Sequence, residues 1–246
     1  ARKTNTNKTM NIHTKHRSDA SEIMDDFSLE GHDLLDALDK IATINQWLGG
    51  NRLTLKGVEK LIQNQSKETQ ICIVDLGCGN GDMLRSLAEY AIKNQRNFKL
   101  IGIDANAFTL NYAKESSQNY PNIEYLSEDI FKFDFEQHKI DIALCTLTLH
   151  HFKEEQILKI MQDLNENTKI GIVVNDLHRS ALAYRLFQLI CFVFQLNRMS
   201  KEDGLTSILR GFKKAELIAF SKKLKFTHYT INWKWAFRYQ WIIYKI

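Results

Sequence analysis

VDLGCGNGD, residues 74–82, sets glycines at 77, 79 and 81 directly behind an apolar run and directly ahead of a helical pattern. A glycine-rich turn from strand to helix lets the backbone approach a ligand closely and points helix N-terminal amides at it. Two common phosphate loops do not fit. A dinucleotide fingerprint started at Gly77 continues to Gly79 but meets Asp82 where its third glycine belongs, and no Gly-Lys-Ser or Gly-Lys-Thr follows to make a P-loop. What remains is an acid, Asp75, two positions before the first glycine, and then Gly77, Gly79 and Gly81.

Outward from this loop, strand and helix alternate. Apolar, β-branched runs at 71–76, 98–104, 123–127, 140–147 and 169–176 predict strands, with helical spacing near 81–94, 107–118 and 153–166 between them. Apolar strands separated by helices argue for a parallel sheet covered on both faces, with ligands at the C-terminal ends of its strands. After the fifth strand, residues 181–196 predict an unusually apolar helix, followed by a glycine-containing turn and a helix around 213–223. KFTHYTINW and WAFRYQWIIYKI then close the chain as a hairpin of aromatic and β-branched residues.

Ahead of the sheet, residues 1–20 are polar, basic and without periodicity, and predict a lead without fixed structure. Residues 21–69 predict a helical lid, with apolar residues at 34, 35, 38, 41, 44, 47 and 48, a Gly-Gly stop, and a second short helix over 55–62. Residues 70–246 form the main domain, with a helical insertion at about 179–212.

The glycine loop resembles the first motif of the class I S-adenosylmethionine-dependent methyltransferases, an acid followed by G-x-G-x-G at the end of strand one. Three further positions fit. Asp104, closing IGID, resembles the acid that accepts the ribose hydroxyls, with Ala105 beside it. Asp129 in SEDIF resembles the acid that reads the adenine amino group, with Ile130 against the ring. CTLTLHHF, residues 145–152, resembles the segment after strand four that flanks the methionine part and the acceptor in small-molecule members. The resemblance spans roughly residues 70–176 and implies a Rossmann-like, doubly wound, mostly parallel α/β sheet of seven strands with an antiparallel C-terminal hairpin. It implies S-adenosyl-L-methionine as cofactor, S-adenosyl-L-homocysteine as product, and Asp75, Gly77, Cys78, Gly79, Gly81, Asp104, Ala105, Asp129, Ile130 and Cys145 around it.

Methyl transfer from a sulfonium is an in-line displacement, so the protein's task is to align the acceptor and exclude water. An acidic hydroxyl also has to lose its proton, for which histidine is suited near neutral pH. Topology nominates His150 and His151 after the fourth strand, and Asp176 with His178 after the fifth, where an Asp176–His178 hydrogen bond would orient the imidazole. NDLHRSALAYRLFQL, DGLTSILRGFKKAEL and EIMDDF are similar to a bacterial subgroup associated with phenolic, polyketide or quinone-like products. That similarity implies an apolar, aromatic small-molecule acceptor, with Phe187, Phe192 and Phe194 as wall residues.

Composition bounds the partners. Cys72, Cys78, Cys145 and Cys191 form no C-x-x-C pair, so neither a disulfide framework nor a zinc site is indicated, no metal is expected, and a reducing cytoplasm is the expected location. No stretch reaches the roughly 18–20 apolar residues that span a bilayer. Residues 179–246 carry 13 Lys and Arg against 3 Asp and Glu, which keeps an RNA or tRNA substrate open. The absence of a proline in CTLTLHHF argues against base-amine methylation of nucleic acid. A catalytically silent S-adenosylmethionine-binding partner protein is the remaining alternative, and no oligomeric state follows.

Overall fold

The computed structural model describes residues 12–245. Two N-terminal helices, α1 (His32–Trp47) and α2 (Gly50–Leu61), precede an alternating α/β unit. That unit runs β1 (Gln70–Leu76), α3 (Asp82–Asn94), β2 (Asn97–Asp104), α4 (Ala107–Ser116), β3 (Ile123–Ser127), β4 (Ile140–Thr146), α5 (Glu154–Asn167) and β5 (Thr168–Leu177). Helices α6 (Ala181–Val193), α7 (Arg198–Arg210) and α8 (Lys214–Lys223) follow, and strands β6 (Tyr229–Lys234) and β7 (Arg238–Tyr244) close the chain.

The seven strands form one sheet in the order β3-β2-β1-β4-β5-β7-β6. The first five are parallel, while β7 runs antiparallel between β5 and β6. Chain order reverses between β1 and β4, and this switch point is where open α/β sheets bind ligands. The sheet buries both faces, because the side chains of each strand alternate between two apolar clusters. One holds Val74, Leu76, Cys145, Val174 and Trp241; the other holds Ile71, Ile73, Leu144, Val173 and Ile242.

Three expectations about organisation change. The predicted glycine-containing turn after α6 is the helix α7: Gly204 is there for packing, since a Cβ at that position would lie 2.4 Å from the Phe187 ring. Helix α2 is no lid. Its Val58, Leu61 and Ile62 belong to the sheet's own core, and Gly57 lets it lie against Val173. The lead expected to lack structure is bound over its described part, residues 12–20; residues 1–11 lie outside the described residues. Arg17 donates to the carbonyls of His150, Phe152 and Arg210, and Arg179 donates to those of Thr14 and Lys15.

Candidate active site

The loop after β1 turns through three left-handed glycines, with φ of +66° at Gly77, +53° at Gly79 and +75° at Gly81. Space is as restrictive as conformation: a Cβ on Gly81 would fall 2.0 Å from the Tyr125 hydroxyl oxygen, and one on Gly77 would fall 2.8 Å from the Thr148 methyl carbon. Asp75, the last but one residue of β1, is buried. Its Oδ1 has no hydrogen-bond partner, and burial, then the charges of Asp82 and Asp104, push its pKa well above the carboxylate range.

These residues open onto a cavity of about 450 Å³. Asp75, Gly77, Cys78 and Gly79 line one end. Apolar side chains from α1 (Leu38, Ile41, Ile44) and from α6 and α7 (Phe187, Ile190, Ile208) form the walls. His150, His151, His178 and Arg238 complete the lining.

The chain leaves β4 through Leu147, which takes a left-handed φ of +57°, into a short 3-10 turn over Leu149–His151. That turn brings His150 beside the end of β5, where its Nδ1 lies 2.7 Å from Asp176 Oδ1. Asp176 also accepts from the amides of Leu177 (2.7 Å) and His150 (3.2 Å). Burial raises the Asp176 pKa, but the charge and hydrogen bond of His150 outweigh it and hold the carboxyl below its ordinary value. With an ionised Asp176 accepting at Nδ1, the imidazole carries its proton there and leaves Nε2 basic.

That free Nε2 faces Glu22, in the N-terminal strap formed by residues 12–30 ahead of α1, at 3.7 Å from Oε1. Glu22 Oε2 accepts from Ser207 at 2.7 Å, while Oε1 has no hydrogen-bond partner. Burial raises the Glu22 pKa to about 7 against the opposing pull of His151, Ser207 and Arg210. Asp25 on the same strap accepts from His151 Nδ1 at 2.7 Å and Arg210 Nη1 at 2.6 Å. These bonds outweigh burial and lower its pKa. Glu22, His150 and His151 bring one potential metal ligand each within 4.8 Å, and the Arg210 guanidinium, 3.5 Å from Glu22 Oε1, supplies the cation at that spot.

Several expected contacts differ. Asp176 does not orient His178: it pairs with His150, and His178 Nδ1 accepts from Trp233 Nε1 at 3.1 Å. Burial, then the charges of Lys213 and Arg179, lower the His178 pKa. Cys145 is buried in the core beneath the sheet and does not line the cavity. Ile130 is likewise a core residue, and Asp129 accepts from the Phe131 amide at 3.0 Å in the turn after β3. Asp104 and Ala105 sit at the end of β2 beside the glycine loop but outside the cavity. The Asp104 carboxylate accepts from the amides of Gly79 and Asn106, each at 3.0 Å. Of the expected wall residues only Phe187 lines the cavity; Phe192 is exposed, and Phe194 packs edge-on against Trp47. Glu22 and Asp25 lie in EIMDDF and Arg210 in DGLTSILRGFKKAEL, segments whose similarity to the subgroup gave these residues no role, and Arg238 was not anticipated.

Residues 73–171 match the family model described as a methyltransferase domain. Among curated proteins, a ubiquinone/menaquinone biosynthesis C-methyltransferase of Campylobacter jejuni is 33% identical over 85 residues, 34% of this chain and 35% of that protein. The match therefore spans about a third of that relative's length. A carboxy-S-adenosyl-L-methionine synthase of the same species is 25% identical over 180 residues, 68% of this chain and 74% of that protein. Among solved structures, the plantazolicin methyltransferase BpumL with a pentazolic analog and SAH superposes with a TM-score of 0.63 at 15% identity, covering 87% of this chain and 98% of that one. Magnesium protoporphyrin IX methyltransferase from Synechocystis PCC 6803 with bound SAH gives 0.56 at 15%, covering 80% and 84%. The glycine loop at the switch point, the sheet order and the match over residues 73–171 identify a methyltransferase domain of the class I S-adenosylmethionine-dependent kind.

Proposed function

We propose that this enzyme methylates a hydroxyl, or the ring carbon that the hydroxyl activates, of an apolar aromatic or polyketide-like small molecule. One observation carries the reading: a histidine held by a buried aspartate lines a cavity with mostly apolar walls. The ubiquinone/menaquinone biosynthesis C-methyltransferase among the relatives supports it.

S-adenosylmethionine supplies a methyl group bonded to a cationic sulfur, a good leaving group for in-line displacement. The residues at the β1 end of the cavity fit this group. Asp75 Oδ1 is a buried acceptor without a partner, matched to an ammonium, and the left-handed glycines keep side chains out of the loop. Asp104 spends two acceptor positions on backbone amides, and an ionised carboxylate keeps about two more for ribose hydroxyls.

At the other end, His150 Nε2 takes the proton from the acceptor hydroxyl. The Asp176 carboxylate fixes the tautomer and stabilises the imidazolium that results. Glu22 Oε1 faces the same nitrogen at 3.7 Å and accepts from the acceptor hydroxyl or from the protonated ring, which aligns the reacting oxygen. The apolar walls exclude water from the reaction.

The test is transfer of labelled methyl from S-adenosylmethionine to a panel of phenols, hydroxyquinones and polyketides, with tRNA as a control. A phenolic product that His150→Ala reduces by roughly 10²–10⁴-fold, the usual contribution of general-base catalysis, supports the reading. Label appearing in tRNA alone, or in no small molecule, refutes it.

A further inference from the structure

Arg238 is the first residue of β7, paired in register with Leu177 at the end of β5. It is buried, it lines the cavity, and burial lowers its pKa to about 10. Its Nε and Nη1 are fully buried and have no hydrogen-bond partner among the described residues. The charges that act on it, Asp176 and Asp82, form no ion pair with it among the described residues.

The other buried arginines behave differently. Arg179 is paired with Glu216 and donates to backbone carbonyls, and Arg210 is paired with Asp25 and donates to His150. A guanidinium carries five donors in a planar fork, and burying it unpaired is costly, so folded proteins keep such a group where something completes it. The fork matches a carboxylate bidentately.

We propose that Arg238 is the receptor for a carboxylate bound in this cavity. The inference rests on the methyltransferase reading of the same site. Two molecules bring the chemistry: the amino-acid end of the cofactor, or an acid group on the acceptor. Position favours the acceptor. Arg238 lies beside Leu177, His178 and Phe237, all of which line the cavity, whereas Asp75 and Gly77 stand at the end of β1, three strands away across the sheet. At roughly 4.8 Å per strand that separation is about 14 Å. A hydroxy acid seated on Arg238 carries its hydroxyl toward the His150 end of the same cavity.

Calorimetric titration of the wild type, Arg238→Gln and Arg238→Lys separates the sources. The probes are S-adenosylhomocysteine against methylthioadenosine, which lacks the carboxylate, and, on S-adenosylhomocysteine-loaded protein, 4-hydroxybenzoate against 4-hydroxybenzamide. The expected result is that Arg238→Gln weakens 4-hydroxybenzoate at least tenfold, leaves the amide unchanged, and is partly rescued by Arg238→Lys. A tenfold loss confined to S-adenosylhomocysteine, with methylthioadenosine unchanged, keeps the carboxylate receptor and moves it to the cofactor. Arg238→Leu provides a second readout: removing an unpaired buried charge raises the Tm of the ligand-free protein, whereas removing a structural residue lowers it. The proposal is overturned when neither carboxylate probe depends on Arg238, or when the Arg238→Leu Tm falls. Failure of the wild type to bind S-adenosylhomocysteine at all counts against the methyltransferase reading of the site instead.

Discussion

Replacing Glu22 by Gln removes one titration while keeping the side chain's size. Burial raises this carboxyl from an ordinary 4.5 to about 7 in the folded protein. Between those two values the native state retains a proton that the unfolded chain has released, so stability falls as pH rises. A gap of about 2.5 pH units, at about 1.4 kcal/mol per unit, amounts to about 3 kcal/mol. This contribution is fully present below pH 4.5 and is lost as pH rises through 7. Urea unfolding, followed by the fluorescence of the four tryptophans, measures it at several pH values. The stability of the wild type minus that of Glu22→Gln is expected to drop by about 3 kcal/mol between pH 4.5 and 7.5. A difference that stays constant to within about 0.5 kcal/mol would refute the reasoning. It would mean that Arg210 holds Glu22 ionised throughout.

Gly81→Ala forces a Cβ to within 2.0 Å of the Tyr125 hydroxyl at a φ of +75°, and is expected to cost about 2–4 kcal/mol in denaturant unfolding. Asp176→Asn removes the anion that fixes His150, and is expected to lower kcat by roughly 10²–10⁴-fold while leaving the Kd for S-adenosylhomocysteine within a factor of about two. His178→Ala, whose ring is engaged by Trp233 rather than by Asp176, is expected to keep kcat within about fivefold of wild type and to leave the pH profile of kcat unmoved.

The glycine loop and the five parallel strands were legible because their signals are local. Three glycines in five positions demand a tight strand-to-helix turn, and apolar runs bounded by helical spacing define the strands. Helix α7 was hidden because Gly204, a turn signal by sequence, serves the contact with Phe187. The Asp176–His178 pair failed for a topological reason. The two residues are close in sequence, but the 3-10 turn after β4 brings His150 to Asp176 from 26 residues away, and the terminal hairpin claims His178. The partners of Glu22 and Asp25, in the EIMDDF segment, were hidden for the same reason at longer range. Asp25 meets His151 across 126 residues and Arg210 across 185, and no spacing rule anticipates such pairings.

The central claim is that the β1 and β2 ends of this sheet form an S-adenosylmethionine site, and calorimetric titration of wild type and Asp104→Ala with S-adenosylhomocysteine tests it most directly. Micromolar binding by the wild type is expected, with a weakening of roughly 5- to 150-fold in the variant, the effect of about 1–3 kcal/mol that follows when a buried hydrogen-bonding partner is removed. Equal affinity in the two proteins, or no binding by folded wild type, would contradict it.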